Sequence, residues 1–236
     1  MLNNPFGGMR KREWGLWAVS LAVVIASNLA CGTIDAVNLC ATLIGVTALI
    51  LVARGDVWGQ ILTVVFALLY SVTSWRFQYY GEIITYAGMS APIAATSVVT
   101  WLRNPHKRGE NQVRIAHLSH RALLILSISA VAVTAAFYGI LKALGTANLI
   151  VSTVSVTTSF LASALMLLRS SYYALAYAAN DLVLILLWVL ACFEDISYLP
   201  MVANFLTFLV NDLYGFISWK QREHTQHREI AAKKAN

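Results

Sequence analysis

Eight apolar stretches of membrane-spanning length, separated by short loops, decide what this chain can fold into. They run over about 14–30, 37–53, 58–75, 82–102, 122–144, 149–168, 172–192 and 198–219. In a bilayer every backbone N–H and C=O must be satisfied within the protein, so such segments form helices. The last one, from Tyr198 to Trp219, has 22 residues and Asp212 as its only charge. At about 1.5 Å per residue it spans roughly 30 Å, the thickness of a hydrocarbon core. The chain of 236 residues is 58% hydrophobic and 12% charged, with a mean hydropathy of +0.66. A soluble domain of this size does not carry that balance. The chain reads as an all-α integral membrane protein with no room for a separate soluble catalytic domain.

The charges give the orientation. Of the 17 Lys and Arg residues, 15 fall on the side that holds both termini; only Arg76 and Lys142 fall on the other. An excess of Lys and Arg marks the cytoplasmic face, so both termini are expected inside. A net charge of +6 could suggest nucleic acid, but the basic residues sit in short loops between apolar spans. That pattern marks membrane orientation, and no nucleic-acid partner is expected. Arg10, Lys11 and Arg12 before an apolar run resemble a signal peptide. Asn28 spoils the SNLAC text at Ser27–Cys31 as a cleavage box, so an uncleaved first helix is expected.

Cys31, Cys40 and Cys192 lie near the outer ends of spans. They are expected as small apolar residues at lipid depth rather than as a Cys31–Cys40 disulfide. All five histidines (His106, His117, His120, His224, His227) lie in cytoplasmic segments. With no CxxC, HExxH or GxSxG text, neither a metal site, nor a cofactor, nor a hydrolytic enzyme is expected.

The spans contain an echo. The second ends at LILVARGDVW with Arg54, and the sixth at SALMLLRSSYY with Arg169. Two helices later come SVVTWLR at Trp101 and GFISWKQR at Trp219. The arginines are 115 residues apart and the tryptophans 118. Two parallel three-helix repeats follow, with one helix between them to carry the chain back, and a peripheral first helix. The expected division is 1–36 for the N-terminus and first helix, and 37–103 for the first repeat. The loop and linker helix take 104–149, the second repeat 150–220, and a cytoplasmic tail 221–236. The basic linker 103–121 is expected as a solvated loop facing lipid headgroups. Repeats about an axis along the membrane normal, with a site between them, are a transporter architecture.

Four helices carry polar and aromatic stripes. One holds Gln60, Thr63, Tyr70, Ser71 and Ser74; the next Glu82, Thr85, Tyr86, Thr96 and Thr100, with Pro92 expected to kink it. A third holds Tyr173, Tyr177, Asn180, Asp181 and Trp188; the last Asn204, Thr207, Asn211 and Gly215. An amide facing lipid is costly, so the stripes face protein or a shared cavity. Gln60, Tyr70, Tyr86, Asn180, Trp188, Asn204, Asn211 and Asp212 are expected to line one substrate site. The stripes lack Lys and Arg, which a phosphate would need. Amides and hydroxyls suit sugar and carboxamide groups, and aromatic faces attract a positively charged ring. The expected ligand is neutral or cationic, ring-bearing and hydroxylated. Asp181 and Asp212 keep open a proton- or ion-coupled alternative. A non-transporting sensor or membrane enzyme is the alternative of another class, but no catalytic set is visible to support it.

The stretches LLRSSYYALAYAANDLVLILLW and FLVNDLYGFISWKQR, with RGDVWGQ, LLYS and YYGE in the first half, resemble the PnuC family of vitamin B3 transporters. The resemblance covers about 37–220. It implies a SWEET-like fold and facilitated diffusion of nicotinamide riboside across the bacterial inner membrane. It also implies a homotrimer and trapping by a cytoplasmic nicotinamide riboside kinase. Tyr173 and Tyr177 stand where relatives are often richer in tryptophan, which leaves another ring-bearing vitamin such as thiamine open.

Overall fold

Helix ends fall where loop chemistry puts them. The structure, a computed structural model, describes residues 3–30, 36–76, 80–107, 109–146 and 148–235. Its helices are α1 (Lys11–Ala30), α2 (Ala36–Ala53), α3 (Val57–Arg76), α4 (Tyr80–Ile83), α5 (Ala91–Arg103), α6 (His120–Ala143), α7 (Leu149–Leu167), α8 (Tyr173–Cys192) and α9 (Leu199–Ala235). A π-helical segment, Ile84–Ser90, joins α4 to α5, and a 3₁₀ turn, Ile196–Tyr198, precedes α9. Taking 81–103 as one span, eight of the described helices are long and apolar enough to cross a membrane. The Cys31–Cys40 pairing lies outside the described residues.

The turns after α2 and α7 are built alike. Gly55 takes a positive φ of 70°; its N–H bonds the Val52 carbonyl at 2.8 Å, and the Asp56 N–H bonds the Leu51 carbonyl at 3.0 Å. Arg169 takes φ 59°; its N–H bonds the Met166 carbonyl at 2.9 Å, and the Ser170 N–H bonds the Leu165 carbonyl at 3.0 Å. Both are helix C-caps closed through a left-handed residue. Arg169 therefore stands opposite Gly55, one residue away from the Arg54–Arg169 pairing that the sequence suggests. At the α2–α3 turn the helices close tightly. A Cβ on Gly59 would sit 2.5 Å from the Val52 backbone nitrogen.

Packing follows a reciprocal pattern. α2 packs on α3 and α9, and α5 packs on α3 and α7. α8 packs between α7 and α9, α1 leans on α2 and α9, and α6 rests on α7. α6 is the least buried span, with Leu124, Ile125, Ile128 and Val131 exposed where a bilayer would cover them.

The span that holds Pro92 is interrupted just before it by the π-helical segment Ile84–Ser90. Proline has no N–H and crowds the preceding turn. The chain absorbs this by a wider turn, in which the Ala91 N–H bonds the Tyr86 carbonyl five residues back.

The basic linker keeps Arg103, Lys107, Glu110 and Arg114 exposed, as expected of a solvated charge run, but its apolar residues are anchored. Val113 and Ile115 are buried beneath α9, which continues as helix well past Trp219, and Asn111 is buried against Asn3 and the start of α3. Gln226 accepts from the Ile115 N–H at 2.9 Å and donates to the Val113 carbonyl at 3.2 Å. His117 and His227 meet at 2.8 Å between their Nε2 atoms. The N-terminal segment straps the same end, with Asn3 bonded to Asn111 and Arg54 donating to the carbonyls of Pro5 and Gly7.

Candidate functional site

A cavity of about 80 Å³ lies at the centre of the bundle, where α2, α3, the π-helical segment, α7, α8 and α9 meet. α8 supplies Tyr177, Asn180 and Asp181, and α9 supplies Phe205, Phe208 and Asp212. The π-helical segment supplies Tyr86 and Ser90; α7 supplies Ser159 and Met166.

Two of the polar side chains are held by α7. The Asn180 Oδ1 accepts from Thr158 Oγ1 at 2.8 Å and from Ser159 Oγ at 3.0 Å. That ties the amide oxygen to α7 and leaves the NH₂ as the group Asn180 can offer a ligand. Tyr177 shares a hydrogen bond of 2.9 Å with Ser163, also on α7. The carboxyls of Asp181 and Asp212 meet within hydrogen-bonding reach, and Asp181 Oδ2 is buried without a hydrogen-bond partner. No Lys or Arg is among the lining residues.

An aromatic plug closes the cavity toward the basic end. Trp101 and Trp219 are fully buried with ring centroids 5.5 Å apart, and Tyr173 packs 4.6 Å from Trp219. The two acceptors that hold the indoles belong to Val52 and Met166, which themselves line the cavity.

Toward the other end lies a second, larger cavity of about 280 Å³. It is lined by Glu82, Thr85, Ser152, Trp188, Glu194 and Tyr198 among others.

The eight residues singled out in the sequence do not converge on one cavity. Tyr86, Asn180 and Asp212 line the central one; Trp188 lines the outer one. Tyr70 packs its ring 4.5 Å from Tyr86, outside both linings. Gln60 is fully buried and bonds through Nε2 to the Met166 sulfur. Asn204 donates to Thr42 on α2, and Asn211 donates to Ser20 on α1 at 2.8 Å. Both α9 amides therefore lie at helix–helix contacts. The serines of α7 were not among the sequence stripes, although Ser155, Ser159 and Ser163 recur at helical spacing.

Among the described residues, eight membrane-length helices packed around buried polar cavities define a polytopic integral membrane protein. The model of the "Nicotinamide mononucleotide transporter" family matches residues 35–221, and the chain belongs to that family. It is similar to a protein of Neisseria mucosa named nicotinamide riboside transporter PnuC, with 26% identity over 184 residues, 76% of this chain and 70% of that protein. Its fold is that of a solved structure titled as the crystal structure of the vitamin B3 transporter PnuC. The TM-score is 0.80 with 22% identity, over 94% of this chain and 95% of the other.

Proposed function

We propose that this chain carries nicotinamide riboside into a bacterial cell across the inner membrane, by facilitated diffusion, with the central cavity as its binding site. The observation that carries the reading is the cavity's chemistry: an oriented amide, paired carboxyls and aromatic rings, with no cation. A pyridinium carboxamide on ribose is complementary to that set. The family description speaks of the mononucleotide and the Neisseria relative is named for the riboside. A phosphate would meet Asp181 and Asp212 without an Arg or Lys to pair it, which favours the riboside.

The reading includes two three-helix repeats, 37–103 and 150–220, rocking about the site. The like-built turns after α2 and α7 support that division. It also places both termini in the cytoplasm, on the strength of the basic loops gathered at one end. Phosphorylation by a cytoplasmic nicotinamide riboside kinase traps the substrate, and three copies assemble, as the family resemblance implies. Uptake of labelled riboside into liposomes holding the purified chain tests the transport. Equilibration without an imposed ion gradient is expected, and no uptake above protein-free vesicles would refute it.

The Asp181–Asp212 contact favours one second reading. Both carboxyls line the central cavity, and intramembrane carboxyls carry protons in coupled carriers, so in this reading transport runs with proton coupling. Accumulation driven by a pH gradient in the same liposomes would establish that reading in place of facilitated diffusion.

A further inference from the structure

We propose that the outer cavity, between α4, the start of α7 and the end of α8, is a second binding station that receives a monocationic aromatic ring before it reaches the centre. The inference rests on the riboside reading, and goes beyond it by assigning a separate site.

Size is the first argument. The outer cavity holds about 280 Å³ and the central one about 80 Å³. Pockets that hold drug-sized ligands start at about 300 Å³. In this conformation the outer cavity is near that size, and the central one must widen to receive a nucleoside.

The lining chemistry selects a cation with a ring. Trp188, itself 6% exposed, and Tyr198 stand 5.5 Å apart between ring centroids, tilted by 46°. Aromatic faces so placed attract a positive charge. Glu82 on α4 and Glu194 after α8 bring carboxyls to the cavity from two directions. Lys142, in the last turn of α6, is exposed and outside the lining. Thr85 and Ser152 supply hydroxyls for a carboxamide or sugar.

Continuity makes this a station on a path. On α7, Ser152 and Val156 line the outer cavity and Ser159 the central one, along one helical face. On α8, Trp188 and Asp181 are two turns apart on one face and divide in the same way. On the π-helical segment, Thr85 faces outward and the adjacent Tyr86 inward. Wide turns of this kind concentrate at functional sites.

The test uses the purified full chain with 1-methylnicotinamide, a pyridinium cation without ribose, and neutral nicotinamide, by saturation-transfer NMR titration. The cation is expected to bind more tightly than nicotinamide, and to keep a binding site in Asp181→Asn, which weakens the central cavity alone. Trp188→Leu should weaken it about 2- to 30-fold, with Trp188→Phe restoring part. Glu194→Gln, on an exposed loop, weakens it without touching the fold, which covers the case in which Trp188→Leu unfolds. Loss of cation binding in Asp181→Asn with both outer variants unchanged would overturn the station, as would equal binding of neutral nicotinamide. Either result leaves wild-type riboside uptake in liposomes standing. Failure of that uptake would sink the transport reading and not the station.

Discussion

The indole N–H of Trp219 donates to the backbone carbonyl of Val52 at 2.8 Å, joining the last span to the end of α2. Its counterpart, Trp101, donates to the Met166 carbonyl at the end of α7, at 3.3 Å. Each bond crosses between the chain's two halves at the floor of the central cavity. Together the two indoles form a latch across the cavity floor, tying the ends of α2 and α7 to the tryptophans of the opposite halves.

The latch predicts an order of effects on stability. Trp219→Phe removes one buried hydrogen bond and should cost about 0.5–1.5 kcal/mol. Trp101→Phe, losing the longer bond, should cost less. Trp219→Ala adds a cavity and should cost about 3–5 kcal/mol. Thermal unfolding of the purified variants checks the order; a larger cost for Trp101→Phe than for Trp219→Phe would contradict it.

Gly59 is expected to tolerate no side chain. A Cβ there would lie 2.5 Å from the Val52 nitrogen and 3.0 Å from the Ala48 carbonyl oxygen, both backbone atoms that cannot turn aside. Gly59→Ala should cost at least about 1–3 kcal/mol by forcing α2 and α3 apart. An unfolding midpoint equal to wild type would show that the helices separate without strain.

The two tryptophans show what the sequence made legible. Spacing placed Trp101 and Trp219 at like positions, and helix–helix packing brings them into contact. Trp188 shows the limit: a helical wheel gives direction around the axis and not depth along it. Asn180, Asp181 and Trp188 share a face yet serve two cavities. The stripe from Glu82 to Thr100 fails for another reason. The π-helical turn before Pro92 adds a residue and rotates the later part, so Thr96 turns away, bonding the Pro92 carbonyl at an exposed site. Val113 and Ile115 sat in a charge-rich linker, where nothing local announces that α9 will cover them.

At the basic end, Asp56 gives a pH dependence. Burial raises its carboxyl above the ordinary range, against the pull of the Trp58 N–H, Asn111, Arg54 and Arg222. A folded-state value above the unfolded one favours the protonated native form, so this residue's contribution is full at low pH and lost as pH rises through the folded value. Asp56→Asn keeps an acceptor for the Trp58 N–H and removes the buried charge. It should stabilise the chain at pH 7 relative to wild type and make little difference near pH 4. An equal change at both values would contradict the assignment.

Nicotinamide mononucleotide should bind far more weakly than the riboside. Its phosphate would enter a cavity whose only charged groups are Asp181 and Asp212. Calorimetry with both ligands checks this, and equal affinities would contradict it.

The central claim is that the riboside sits against Asn180 rather than against the α9 amides, and one paired measurement tests it. Riboside affinity and unfolding midpoint are determined on the same preparations of Asn180→Leu and Asn211→Leu. Asn180→Leu should lose about 2- to 12-fold in affinity for each hydrogen bond it gave the ligand. Asn211→Leu, which breaks the bond to Ser20 between α9 and α1, should lower the midpoint and leave affinity unchanged. Unchanged affinity in Asn180→Leu, with the loss appearing in Asn211→Leu instead, would contradict the account.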